Sequence, residues 1–255
     1  MKLAPQIPSR HIIVNLIRRN MKLRYKSSLL GYLWSFLTPL LFLLIFHFVF
    51  SQAFQGMRSY SLYVLSGLIL WQFFANGSNQ CIQSLLANAG VIKTINVPVI
   101  AFPIATIFTE LFNMGLVLIP FFGLMLFFGL ELTWHTLLVI PVLLLMTFFS
   151  LGLGLLLGSL NIYLRDISIL WNSINPALFY LTPVAYTLDF VPENYHPVLK
   201  LNPLYHYFQM MRDALYYNQV PSLETALIAF FTAAITFFLG LIIFKKLEPG
   251  VISNV

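Results

Sequence analysis

Six apolar stretches, each near the ~20 residues an α-helix needs to cross a ~30 Å hydrocarbon core, dominate this sequence. They cover residues 33–54, 60–79, 102–130, 136–160, 167–186 and 223–244. Such a chain folds as helices in a bilayer, because lipid offers no partner to an open backbone group and an α-helix satisfies its own. The second and fifth stretches are the weakest, each interrupted by several Ser, Asn or Gln residues. Composition excludes the soluble alternative: 59% of the 255 residues are hydrophobic, only 9% are charged, and mean hydropathy is +0.85. So few charges cannot clothe a 29.2 kDa globule. The expected fold is an all-α integral membrane protein of six transmembrane helices, forming one membrane domain over 1–255.

The basic residues orient it. Lys2, Arg10, Arg18, Arg19, Lys22, Arg24 and Lys26 lie at the N-terminus with no acid among them. With six crossings, Lys93, Arg165, Lys245 and Lys246 fall on the same side, and only Arg58, Lys200 and Arg212 on the other. Basic loops stay in the cytoplasm, so both termini are expected there. This bias accounts for the net charge of +6 without nucleic acid as a partner. The long basic segment before the first span, and Pro39 within it, do not match a cleaved signal peptide, and the span is expected to remain.

Two segments outside the spans have their own character. In 12–26, Ile13, Leu16, Ile17 and Met21 share one helical face and Asn15, Arg18, Arg19, Lys22 and Lys26 the other. This predicts an interfacial helix over 12–30, its basic face toward lipid phosphates or an acidic partner; the alternative is a topology signal alone. The stretch 187–222 carries Pro192, Pro197, Pro203 and Pro221. Asn202-Pro203 is a good N-cap and first-turn pair, after which Leu204, Tyr207, Phe208, Met211 and Leu215 share a face. Arg212 and Asp213 make this helix too polar to span, so short helices lying at or re-entering the outer interface are expected. They act either as a lid over the bundle end or as a gate.

Reaction chemistry is absent from the pattern. No G-x-x-x-x-G-K-[ST] occurs, so the chain has no P-loop for ATP, and Gly152, Gly154 and Gly158 suit close helix packing better than a phosphate cradle. Cys81 is a lone cysteine, and no two histidines share the i, i+3 or i, i+4 spacing of a helical metal site. The eight acids are dispersed. Glu110 alone lies well inside a span, where a carboxylate is costly unless paired, protonated or facing water. It is either polar glue between helices, with Asn113 one turn on, or part of a translocation or ion-coupling site. The fifth span holds Asn172, Asn175-Pro176, Tyr180 and Thr182-Pro183, polar groups that line a path, meet another subunit, or sit in a kinked structural helix.

Arg24-Tyr-Lys-Ser-Ser-Leu-Leu-Gly-Tyr-Leu-Trp-Ser-Phe-Leu-Thr-Pro39, Asn161-Ile-Tyr-Leu-Arg-Asp166, Tyr180-Leu-Thr-Pro-Val-Ala-Tyr186, Asn202-Pro203 and Arg212 together resemble the membrane subunit of ABC-2-type polysaccharide exporters. The blocks match in order and spacing over essentially the whole chain. They are more similar to O-antigen permeases than to capsule permeases, and teichoic-acid permeases share them.

The resemblance implies a permease of the bacterial inner (plasma) membrane. It would work as a homodimer with two copies of a separate ATPase subunit, which binds ATP and Mg²⁺; this chain itself holds no cofactor and is not an enzyme. The cargo implied is a glycan on polyprenyl pyrophosphate. The segment Leu86–Thr94, with Asn88, Val91, Ile92 and Lys93, would be the helix that docks on the ATPase, with Arg165 and Asp166 near the same surface. Lys93 is the only charge in the 80–101 loop, so docking would rest on shape and apolar contact. The 187–222 segment, with Asn202, Pro203, Tyr207 and Arg212, would form the outer gate.

Arg18, Arg19, Arg24, Tyr25 and Lys26 are candidates for the lipid-glycan entrance, where Arg suits bidentate phosphate contact. Tyr32, Trp34, Trp71 and Tyr180 are candidates for the glycan path, each lying near a polar block or an interface. The rival reading is an ATP-independent secondary transporter or flippase of lipid-linked sugars using Glu110. One dispersed acid and no evident inverted repeat are thin material for it. A membrane transferase would need converging acids, which are lacking.

Overall fold

The computed structural model describes residues 8, 10–24, 26, 28–31, 33–50, 60–94 and 97–254. Ten α-helices and three short 3-10 turns make up the architecture, with no strand among the described residues. Tyr25 and Tyr32 lie outside them, as do Lys2, Arg58 and the 51–54 end of the first apolar stretch.

Helix α1 (Arg10–Arg24) is the amphipathic basic segment, and it ends short of the expected residue 30. Ser28 Oγ accepts a hydrogen bond from Gly31 N at 3.1 Å, and Gly31 adopts a left-handed φ of 49°. That turn leads into α2 (Leu33–Phe50), and it is open to glycine because no Cβ obstructs it.

Helix α3 (Tyr60–Ala87) continues about two turns past the 60–79 stretch. Its hydroxyls need no water there: Ser78 Oγ donates to Ala75 O and Ser84 Oγ to Cys81 O, at 3.2 and 2.7 Å. The 80–101 region is therefore the end of α3, the short α4 (Ala89–Thr94) and the lead into α5 (Ala101–Phe127). Gly129, at φ 74°, ends α5 with Gly129 N donating to Leu126 O and Leu130 N to Met125 O, the paired bonds of a Schellman stop.

A 3-10 turn (Trp134–Leu138) precedes α6 (Val139–Tyr163). Helix α7 (Asp166–Leu181) stops five residues before the end of the fifth apolar stretch. Pro183 drives the preceding Thr182 out of the helical region, to φ −104° and ψ 129°. After 3-10 turns at Leu188–Phe190 and Glu193–Tyr195 come α8 (His196–Leu201), α9 (Pro203–Leu215) and the long α10 (Leu223–Asn254). The cap at Asn202 forms as its residue type demands, its Oδ1 accepting from Leu204 N at 3.0 Å.

By length and composition, three helical segments among the described residues can cross a membrane: Ala101–Phe127, Trp134–Tyr163 and Leu223–Val251. Helix α2 runs unbroken through Pro39 and contributes a shorter apolar stretch among the described residues, Phe36–Ile45; α3 is diluted by amides, and α7 spans only about 24 Å at 1.5 Å per residue.

Helices α3, α5 and α6 enclose one apolar core, in which Leu70, Phe74, Phe121 and Met125 are fully buried, and α9 adds Tyr207 and Phe208. A second cluster around Cys81, Leu85, Phe102, Ile107, Ile162 and Phe244 fills the other end. Gly152 on α6 and Gly240 on α10 face each other so closely that a Cβ on either would overlap the opposite backbone. Small residues allow this approach where lipid gives helices no hydrophobic reason to associate. Apolar side chains left outside, such as Phe112, Phe231, Phe238 and Ile242, form a surface suited to lipid or to another subunit.

Candidate functional site

A cavity of about 740 Å³ opens between α2, α3 and α7 with α5 behind it. Its wall mixes two chemistries. Gln72, Asn76 and Asn79 on α3, Asn113 on α5 and Asn172 and Asn175 on α7 supply amides; Trp34, Trp71, Phe179 and Tyr180 supply rings. On α3 the amides recur at i, i+4 and i+7, a single helical face, which is why residues that weaken an apolar stretch come together as a polar stripe.

Three of the four path candidates, Trp34, Trp71 and Tyr180, line this one cavity, although they come from three helices. They differ in kind. Trp34 and Tyr180 are 47% and 73% exposed, whereas Trp71 is only 9% exposed and packs edge-on against Phe179 at 5.2 Å.

Arg24 lines the same cavity beside Ser28. Its Nη2 pairs with Glu110 Oε1 at 2.7 Å, and Gln80 Nε2 donates to that same oxygen at 2.9 Å. Glu110, buried in α5, is therefore tied to α1 and α3. The Nη1 of Arg24 and the Nδ2 of Asn175 are buried with no hydrogen-bond partner among the described residues, just behind the cavity wall that both residues help to form. Such a wall can take a ligand rich in hydroxyl or phosphate oxygens, with rings for its apolar faces.

The other entrance candidates are divided. Arg18 and Lys26 are exposed. Arg19 donates instead to Asn88 Oδ1, and Asn88 in turn donates to Ser84 O at 2.7 Å. A residue expected at the entrance and one expected at the docking helix are thus direct partners. In that docking segment Lys93 is exposed and Val91 half-buried, but Ile92 points inward, 6% exposed within the second cluster, so its side chain is no part of a surface. Arg165 and Asp166 are exposed at the start of α7.

At the far end of the bundle, α9 is packed inward. Tyr207 is fully buried and its hydroxyl donates to Ala229 O at 2.9 Å, fastening α9 to α10. Asn202 also donates to Thr182 Oγ1 at 2.8 Å, joining Pro203 and α9 to the end of α7. Arg212, 2% exposed, donates from Nη2 to the carbonyls of Pro183 and Val184 and lies 3.9 Å from the Tyr63 ring centroid. Burial lowers its pKa while the surrounding tyrosines hold it up. Burial raises the Asp213 carboxyl, opposed by hydrogen bonds from Gln219 and Gln209 and by the Arg212 charge.

The sequence matches the ABC-2 type transporter family over residues 12–216, the span that contains this cavity and both polar ends. The chain belongs to the ABC-2 type transporter family. Among ABC-2 relatives, the O-antigen export system permease protein RfbA of Klebsiella pneumoniae is 32% identical over 240 residues, covering 93% of this chain and 92% of that protein. RfbA of Myxococcus xanthus is 26% identical over 218 residues, with 84% of each chain covered. The polysialic acid transport protein KpsM of Escherichia coli is 25% identical over 256 residues, with 94% of each covered. Homologues of this ABC-2 chain are thus permease subunits of exporters for O-antigen and capsular polysaccharide, which favours export over the ATP-independent flippase.

Two features escaped sequence reasoning. The Arg24–Glu110–Gln80 group joins residues far apart in the chain, and no local pattern announces it. The α3 amide stripe did carry a signal in its spacing.

Proposed function

We propose that this chain is the membrane-spanning subunit of an exporter that moves an O-antigen-like polysaccharide, linked to polyprenyl pyrophosphate, across the bacterial inner membrane. The amide-and-aromatic cavity with Arg24 at its edge carries the reading, in a chain related along almost its whole length to O-antigen permeases. Sugar hydroxyls both donate and accept, which suits amides, and their C–H faces suit rings. A long glycan needs many weak contacts that release as readily as they form, and neutral amides fit this better than charges.

In this reading α2, α3, α5, α6, α7 and α10 cross the membrane, making six spans in one domain, with both termini in the cytoplasm. Helix α1 lies in the cytoplasmic interface. Arg18, Arg24 and Lys26 draw the pyrophosphate to the cavity mouth, and Trp34, Trp71 and Tyr180 line the path. Lys93, Arg165 and Asp166 mark the surface that meets the ATPase, and α8 and α9 close the outer end. Two copies of the chain work with two copies of an ATPase, where ATP and Mg²⁺ bind; this chain performs no bond chemistry. Nucleotide binding and hydrolysis there bias the membrane dimer between closed and open states.

The test is reconstitution of the purified chain in lipid vesicles, with and without the ATPase encoded beside it, followed by an assay of outward movement of lipid-linked glycan. Transport that needs both chains and ATP is expected. Equal transport by this chain alone, without ATP, overturns the proposal and returns attention to Glu110.

A further inference from the structure

A second cavity, about 240 Å³, lies near the start of α3, separate from the large one. Asp189, Tyr205, Gln209, Arg212, Tyr217 and Gln219 are its chemically distinctive lining. The wall is pre-organised. Gln209 and Gln219 both donate from Nε2 to Asp213 Oδ1, at 3.0 and 2.9 Å, which fixes the two amides with their carbonyl oxygens free to accept. Arg212 is clamped by two backbone carbonyls and the Tyr63 ring. The cavity thus offers two amide acceptors, the Asp189 carboxylate, and Tyr205 and Tyr217, each with a ring and a hydroxyl donor.

These groups select a ligand class. An apolar ligand leaves the donors and acceptors unpaired, and an anion meets Asp189. A neutral sugar satisfies both kinds of group, since each hydroxyl donates and accepts. The volume is below the ~300–1,000 Å³ of sites for drug-sized ligands, and so suits a single ring rather than an oligosaccharide.

We propose that this cavity binds one neutral pyranose unit of the exported glycan as it leaves the bundle. The assignment of that sugar to the cargo rests on the exporter reading; the binding itself does not.

The full chain in lipid nanodiscs tests it, by saturation-transfer NMR with the methyl glycosides of glucose, galactose, mannose, rhamnose and N-acetylglucosamine, each titrated separately. At least one is expected to bind saturably. Tyr217→Ala and Gln219→Leu, both at exposed positions that substitution leaves folded, are expected to weaken it by at least about fivefold, the loss of a ring contact or a hydrogen bond. Asp189→Leu, also exposed, serves as a third variant, and an unchanged thermal midpoint shows that each is folded.

No saturable binding by the unsubstituted chain overturns the proposal. So does binding abolished by Tyr180→Ala but kept in Tyr217→Ala, which assigns the sugar to the larger cavity. ATPase-dependent export with no binding here overturns this site and leaves the exporter reading standing; binding here without such export keeps the site and removes the exporter reading.

Discussion

Arg24, at the end of α1, and Glu110, in the middle of α5, form an ion pair at 2.7 Å in which the carboxylate is 1% exposed and the guanidinium 24%. The pair joins a basic interfacial helix to a span of the bundle, and Gln80 adds α3 to the same carboxylate. A charge placed inside a span is costly when unpaired, and this one is both paired and hydrogen-bonded.

Removing one partner should therefore cost more than removing both. Glu110→Gln is expected to destabilise the chain by about 3 kcal/mol, because Arg24 is left part-buried without a counter-charge. Arg24→Gln together with Glu110→Gln should recover much of that loss. A double-mutant cycle on thermal unfolding in detergent is expected to return a coupling of about 1–3 kcal/mol. Additive effects of the two changes would remove the pair as a fastening.

The aromatic residues of the large cavity separate into two kinds. Tyr180→Ala and Trp34→Ala, at exposed positions, are expected to lower export several-fold while leaving the unfolding free energy within about 0.5 kcal/mol of the parent. Trp71→Ala is expected to cost about 3–5 kcal/mol, since its ring packs against Phe74 and Phe179. Only for Trp71→Phe can export then be read apart from folding. Unchanged export in all three single variants would exclude these side chains from the path.

Tyr207 fastens α9 to α10 through one hydroxyl, which also meets Thr232 Oγ1 at 3.0 Å. Tyr207→Phe should cost about 1 kcal/mol, the net worth of a neutral hydrogen bond and no more, because Thr232 Oγ1 still donates to Ile228 O and Ala229 O. Thermal unfolding in detergent measures it. A Thr232→Val, Tyr207→Phe double variant that loses no more than Tyr207→Phe alone would confirm that the two groups act as one contact.

Helix α10 approaches α6 only because Gly152 and Gly240 carry no side chains. Gly240→Leu is expected to cost at least about 3 kcal/mol or to prevent accumulation of folded protein. Gly115→Leu is the control, since nothing lies within 4 Å of the Cβ it would add. Comparable yields and midpoints for the two variants would contradict the packing described.

Local chemistry was legible in the sequence and long-range partnership was not. Asn202-Pro203 announces the start of α9 because a cap involves only neighbours in the chain. Gln72, Asn76 and Asn79 announce a polar face through their spacing, although what that face borders depends on α2 and α7. The apolar stretch overruns the end of α7 because Val184, Ala185 and Tyr186 prolong it, whereas Pro183 ends the helix at Leu181. Arg19, a candidate for the entrance, also meets Asn88, which lies in the turn between α3 and α4 and which no periodicity links to it. Ile92 was expected on a docking surface, but one short helix of half-apolar residues does not reveal which face is covered, and Phe102 and Phe244 belong to the cluster that buries it.

The cavity between α2, α3 and α7 is the core of this account, and photo-crosslinking tests it most directly. A photoreactive phenylalanine analogue is placed singly at Trp34, Asn79 or Tyr180 in the cavity and at Ile235 or Phe238 on the outer face of α10, in cells making radiolabelled lipid-linked glycan. Glycan adducts are predicted at the three cavity positions and none at the two on α10. Equal labelling at all five, or labelling confined to α10, would contradict a glycan path through this cavity.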